Sequence, residues 1–293
     1  MTAGPRISAF FDAPTNTVSY LVSDPESRAA AVIDPVLGYD PASGVIDSAP
    51  ADRILAAAAE QDLAIGLVLE THPHADHLTA APLFKAKTGA KVGIGAGIRE
   101  VQQTFGPMFA ADDVKSDGSD FDLLLDDGQQ LPLGNLTIEV IATPGHTPAC
   151  VSYRIGDAVF VGDTLFMPDF GTARTDFPGG CAHRLYHSIQ RLLALPAETR
   201  LFMCHDYKAP GRDEFAWETS VAEQRARNVH VGAGVCEDAY VAMRRARDAQ
   251  LPAPKLLLPA IQVNIRAGRF PPAEADGVSY LRIPVRMQGP DPN

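Results

Sequence analysis

Thr71-His72-Pro73-His74-Ala75-Asp76-His77 is the stretch on which the fold of this chain turns. Three of the chain's eight histidines and one carboxylate fall between His72 and His77. Imidazole and carboxylate groups are ligands for zinc, iron and related ions. The apolar run Ile65 to Leu69 ahead of the cluster reads as a buried strand. A helix is expected from Thr79 to Thr88, closed by Gly89. The cluster therefore sits at the C-terminal end of a strand, where α/β proteins place ligand sites. The competing reading is a polar turn that happens to be rich in histidine.

Outward from this stretch, strands and helices recur. Val18 to Val22 and Ala30 to Ile33 read as strands, with Asp34-Pro35 stopping the second. Asp52 to Gln61 is Ala-rich and helical, and Asp52 suits a helix N-terminus. Leu63 to Glu70 is the next strand. Lys91 to Ile94 suits a strand and Ile98 to Phe105 a helix. Gly106 to Asp127 is polar and reads as a surface loop. Asn135 to Ala142, Ala149 to Ile155 and Ala158 to Val161 resemble consecutive strands, with Gly156-Asp157 a hairpin turn. Ala182 to Leu195 is an amphipathic helix with Leu185, Ile189, Leu192 and Leu193 on one side. Leu201 to Cys204 is a short strand. Phe215 to Asn228 and Glu237 to Ala249 read as helices, Leu251 to Pro259 as a Pro-rich linker, and Gln288 onward as a loose tail. Two runs of strands, each followed by helices, predict a layered α/β sandwich. The expected division is residues 1–250 as one catalytic domain, with 251–293 an extension packed on it.

A chain of 293 residues can bury a sizeable core. Its 25 basic and 36 acidic residues give 25 − 36 = −11. That disfavours nucleic acid as a partner, since phosphate binding needs a basic face. An anionic small molecule is still allowed, because a few local cations can hold one. No apolar run is long enough to span a membrane, and the first residues lack the apolar core of a signal peptide. A cytoplasmic location is the expectation. Cys150, Cys181, Cys204 and Cys236 form no CxxC pair and read as reduced thiols.

Three further segments place metal-ligating types at expected strand ends. Thr143-Pro144-Gly145-His146 lies between two strands, and Gly145 would let the backbone turn sharply to present His146. Val161-Gly162-Asp163-Thr164 puts an acid after an apolar run. Cys204-His205-Asp206-Tyr207 does the same with a histidine. A lone histidine is more often structural than ligating; recurrence at strand ends is what favours one converging site.

With these residues the chain resembles the metallo-β-lactamase superfamily. The HxHxDH signature is His72, His74, Asp76 and His77, and the later ligand positions match His146, Asp163 and His205. The resemblance implies an αββα sandwich with a metal site at one edge. Fold alone does not give function. Gly171-Thr172-Ala173-Arg174-Thr175-Asp176-Phe177 looks like persulfide dioxygenases, as do His205-Asp206-Tyr207 and Glu223-Gln224-Arg225 followed by Asn228. That resemblance implies one Fe(II) per chain held by His72, His146 and Asp163, and oxidation of glutathione persulfide by O₂ to sulfite and glutathione. His74, Asp76, His77 and His205 would then orient ligands or waters. It also implies a homodimer, which the sequence itself does not reveal.

Arg174 would hold a glutathione carboxylate; its other role is an ion pair with Asp176. Tyr207 would contact the glutathione portion; its other role is a tyrosine bonded near the site. Lys208 and Arg212 read as solvated, and Arg225 as structural. Thr172 and Ala173 stand where several persulfide dioxygenases carry a cysteine, so a loop thiol has no counterpart. The loops at 106–121 and 208–217, and the segment beyond Pro252, look longer than in compact members.

The alternative is a glyoxalase II-like thioester hydrolase with two metals, zinc included. His72, His74 and His146 would hold the first, and Asp76, His77 and His205 the second, with Asp163 bridging. All seven residues are present. The Arg-Thr-Asp-Phe segment argues against it, because that family usually has a lysine and an aromatic residue at this loop. A non-catalytic sulfur or metal sensor is the reading from another class.

Overall fold

The computed structural model describes residues 4–285. The expectation of a loose tail from Gln288 lies outside them. The first sheet has six strands in the order β1 (Arg6–Asp12), β2 (Thr17–Ser23), β3 (Ala29–Ile33), β6 (Ala64–Glu70), β8 (Lys91–Gly95), β9 (Leu123–Leu125). β1, β2 and β3 pair antiparallel, and β3, β6, β8 and β9 pair parallel. The second six-stranded sheet follows chain order: β10 (Gln130–Leu133), β11 (Leu136–Ala142), β12 (Val151–Ile155), β13 (Ala158–Phe160), β14 (Arg200–Phe202), β15 (Glu218–Ser220). A small sheet joins β5 (Val45–Asp47), β4 (Val36–Asp40) and β7 (Leu78–Thr79).

The two large sheets face each other. Every residue of β2 is buried, as a strand covered on both faces requires. Val18, Tyr20 and Val22 meet Tyr153, Phe160 and Phe202 of the second sheet, with the Tyr20 and Phe160 rings 5.0 Å apart, edge on. Helices α1 (Ala49–Glu60), α2 (Ala81–Thr88), α3 (Ile98–Met108) and α7 (Leu257–Asn264) cover the outer face of the first sheet, burying Ile54, Phe84, Val101 and Ile261 with Leu21 and Val68. Helices α4 (Ala182–Leu193), α5 (Val221–Arg227) and α6 (Glu237–Asp248) cover the second, where Leu185, Ile189 and Tyr240 meet Val159 and Leu201. Each such side chain contributes roughly 1.5–3 kcal/mol of hydrophobic stabilisation. The architecture is the expected αββα sandwich.

Several local expectations are corrected. The helix expected from Phe215 starts only at Val221, because Glu218–Ser220 pairs with Arg200–Phe202 as an edge strand. Ser220 caps the helix by accepting from the Glu223 N–H. The polar segment 106–127 is not all loop: Leu123–Leu125 adds a parallel strand to β8. Leu251 to Pro259 is not all linker, since α7 begins at Leu257 and its apolar face joins the core. Proline at 254 and 259 masked that apolar run. Thr79 belongs to β7, two residues before α2 begins at Ala81.

One edge of the sandwich is stitched between sheets. Thr17, opening β2, bridges His205, just past β14. The Val18 N–H donates to Cys204 O at 2.7 Å, and the Asp206 N–H to Asn16 O at 3.2 Å. His72 follows β6, His146 lies between β11 and β12, Asp163 follows β13 and His205 follows β14. All four side chains are therefore delivered to this edge.

Candidate metal centre

His72, His146 and Asp163 come together with their ligand atoms all within 4.8 Å of one another. His72 Nε2 and His146 Nε2 lie 3.9 and 3.7 Å from Asp163 Oδ2. The histidines are oriented through their other nitrogens. His146 Nδ1 donates to Arg174 O at 2.8 Å. Thr71 Oγ1 donates to Asp34 Oδ2 at 2.8 Å, so its lone pair accepts from His72 Nδ1 at 3.0 Å. These partners assign the tautomers and leave both Nε2 lone pairs facing Asp163. Burial, then the neighbouring His74 and His146, pushes the His72 pKa well down, which keeps it neutral.

Gly145 makes the His146 turn possible. Its φ is +147°, and a Cβ there would stand 2.3 Å from the backbone of Leu185. Only glycine lets α4 pack this closely against the turn. Gly171 serves the neighbouring loop in the same way: at φ +103°, a Cβ would strike the His230 ring at 2.2 Å.

His74 and His205 belong to the same cluster. His74 Nε2 lies 3.0 Å from Asp34 Oδ1 and 3.4 Å from Glu70 Oε2. With Nε2–H directed at these carboxylates, His74 keeps its Nδ1 lone pair for the cluster. His205 Nδ1 donates to Asn16 O at 3.2 Å, and its Nε2 lies 3.4 Å from Asp163 Oδ1 and 3.6 Å from Asp76 Oδ2. Asp76 Oδ2 also receives Thr17 Oγ1 and His77 Nδ1, each at 3.2 Å.

Buried polar atoms normally have partners. Here His72 Nε2, His74 Nδ1, His77 Nε2, His205 Nε2 and Asp163 Oδ1 are buried without any hydrogen bond. Lone pairs of nitrogen and oxygen, gathered and unsatisfied, fit a bound cation such as iron or zinc. The donor set therefore fits a metal, and the second-nitrogen partners are of the kind that orient metal ligands.

A cavity of about 380 Å³ opens on Asp76, His146 and Asp163. Phe166, Phe170 and Tyr207 form its aromatic wall. The Tyr207 ring stacks 5.6 Å from His205 and lies 5.2 Å from Phe170. Arg212, expected to be solvated, instead clamps this wall. Its guanidinium binds Asp169 at 2.6 Å and the buried Asp206 at 2.6 and 2.7 Å. Lys208 lies over the Phe215 ring at 4.2 Å. Arg225, as expected, is structural and donates to Leu195 O.

Arg174 lines the cavity and also makes the ion pair with Asp176, through Nε and Nη2 at 2.6 Å each. Nη1 donates to Pro252 O at 2.7 Å. Three of its five N–H groups are thereby used. Arg247 and Lys255 also line the cavity, and both are exposed without an acid partner among the described residues. Sequence reasoning missed them, because nothing in their neighbourhood marks a site. It also missed Asp34, read only as a strand stop, although an acid closing an apolar strand was the same signal used for Asp163. Cys204 lies beside the centre with Sγ 3.5 Å from Asp34 Oδ2. Burial, then Asp34 and Asp163, pushes its thiol pKa well up.

The model of the metallo-β-lactamase superfamily matches residues 12–205. A probable metallo-hydrolase of Burkholderia pseudomallei is 50% identical, the match covering 95% of this chain and 98% of that protein. The chain spans 65% of the length of a β-lactamase hydrolase-like protein of Agrobacterium fabrum, also 50% identical. The human mitochondrial persulfide dioxygenase is 32% identical over 88% of this chain and 87% of its own length. The crystal structure of ETHE1 from Myxococcus xanthus superposes with a TM-score of 0.72 at 34% identity, covering 90% of this chain and all of that one. No helix among the described residues is long and apolar enough to cross a membrane. With fold, ligand cluster and relatives in agreement, the chain belongs to the metallo-β-lactamase superfamily and, within it, to the persulfide dioxygenase family.

Proposed function

We propose that this protein oxidises glutathione persulfide with O₂ at a single non-haem Fe(II), held by His72, His146 and Asp163, releasing sulfite and glutathione. The observation that carries this reading is the bond from His146 Nδ1 to Arg174 O. The segment Gly171 to Phe177, which resembles persulfide dioxygenases, is the one whose backbone orients a ligand. Likeness to the human enzyme over most of the chain supports it. Iron, when bound, would supply the redox chemistry, with positions left open by a two-histidine, one-carboxylate set.

The chain's own residues bind and orient. Phe166, Phe170 and Tyr207 offer an apolar wall that excludes water from the sulfur end of the substrate. The free N–H groups of Arg174, with Arg247 and Lys255, offer donors to carboxylates at the other end. His205 Nε2 faces the open side of Asp163 and can accept a proton from water or thiol there.

A second reading is a two-metal thioester hydrolase. The observation favouring it is that His74 Nδ1, His77 Nε2 and His205 Nε2 are also buried and unsatisfied. The hydrolase name of the Burkholderia relative points the same way.

The deciding experiment follows O₂ consumption by anaerobically iron-loaded protein given glutathione persulfide, with sulfite and metal content measured in parallel. One iron per chain and O₂ uptake matched by sulfite are expected. Two zinc ions per chain, no O₂ uptake, and hydrolysis of S-lactoylglutathione would replace the dioxygenase by the hydrolase.

A further inference from the structure

The HxHxDH loop lacks the ordinary means of holding a backbone still. Among the described residues, 72–77 make no hydrogen bond to other backbone groups. The loop is nevertheless buried at His72, His74 and His77. Its main-chain groups must therefore find side-chain partners.

The partner comes from the far end of the chain. Asn264, the last residue of α7, is 3% exposed. Its Nδ2 donates to His74 O and to His77 O, each at 2.8 Å. Its Oδ1 accepts from the Thr79 N–H at 3.0 Å. One amide thus ties the two residues flanking the Ala75-Asp76 step and the first strand residues after it. Both donors of the amide are used, and the acceptor receives a third bond.

Asn264 is itself held rigidly. Ala260, Ile261, Val263 and Ile265 are buried in the helix-facing core. Gln102 of α3 donates to Ile265 O at 2.8 Å. Arg266 forms a two-pronged pair with Asp113, at 2.7 Å for each prong. Position is thereby transmitted from α3 and α7 to the metal loop.

We propose that Asn264 is a positioning residue of the metal centre, setting the geometry of the loop that presents His72, His74, Asp76 and His77. Helix α7 is on this account part of the centre. The inference rests on the presence of a metal, not on the choice between dioxygenase and hydrolase. Alanine at 264 removes all three bonds, and aspartate keeps the size while turning both donors into acceptors against two carbonyls. Ile261→Val is the control, loosening the same helix while leaving all three Asn264 bonds in place.

The test measures metal affinity by chelator competition and the visible absorption of the Co(II)-loaded protein, each beside thermal unfolding. Asn264→Ala and Asn264→Asp are expected to weaken metal binding by about 10- to 100-fold and to shift the Co(II) bands, with Ile261→Val native in both. If Asn264→Ala does not fold, Asn264→Ser, which keeps one donor, is read in its place. Native affinity and native Co(II) bands in a folded Asn264 variant would overturn the proposal. So would equal shifts in Ile261→Val, which would make the effect one of general stability.

Discussion

Asp163 is the residue on which the ligand assignment rests most heavily. Its carboxylate faces His72, His146 and His205 at 3.4 to 3.9 Å. Asp163→Ala is expected to lose bound metal and activity together, read by metal analysis and turnover; full occupancy with normal turnover would reject the assignment. Arg174→Ala should retain metal and weaken substrate use, while also releasing Asp176. Among the described residues Arg247 and Lys255 have no acid to neutralise them, in a chain with a net charge of −11. Replacing both by alanine is expected to raise KM for an anionic substrate about tenfold with kcat unchanged, from the loss of charge-assisted contacts. Unchanged KM would place them outside the substrate path.

At the scale of elements, α6 holds the loop that holds His146. Arg244 donates to Thr172 O at 3.1 Å, and Asp248 accepts from the Thr175 N–H at 2.9 Å. His230 accepts from the Thr172 N–H at 3.0 Å through Nδ1. Burial, then the Arg244 charge, depresses the His230 pKa to about 4. Between that value and the ordinary 6.5 the unfolded chain binds the extra proton, so stability falls as pH drops through this window. The full effect is up to about 3 kcal/mol. Thermal unfolding from pH 7 to pH 4 should show this slope, reduced in His230→Gln. An equal slope in both proteins would mean that His230 is not the group responsible.

For the whole molecule, the metal is expected to be a stability element. Buried unsatisfied atoms in the apo centre are costly, by about 1–3 kcal/mol each. Metal at a hundred times its dissociation constant adds about 2.7 kcal/mol. Chelation should therefore lower Tm by roughly 5 °C, at about 2 °C per kcal/mol for a chain of this size. No change in Tm on complete removal would indicate a preformed site with little linkage to folding.

How far the sequence reaches can be read from particular residues. His72 to His77 announced a metal site because a run of ligand types after an apolar strand needs no knowledge of the fold. Gly145, Asp163 and His205 were readable for the same reason, each standing at a strand end marked by its own apolar run. Arg174 was readable only as two alternatives, and the structure contains the ion pair with Asp176 while leaving N–H groups free. Arg247, Lys255 and Asn264 were silent, because their role lies in what they face and not in what precedes them. α7 was hidden by its prolines, and β15 by its place as a three-residue edge strand in a helical neighbourhood.

Local chemistry and periodicity, both short-range properties, determined the ligand types, the strand ends and the αββα class from the sequence alone. Tertiary structure alone decided which lone pairs are left unsatisfied, which carbonyl orients His146 and which distant amide holds the metal loop. The reason is that hydrogen-bond direction and burial depend on segments up to 190 residues apart meeting in space, as Asn264 and His74 do.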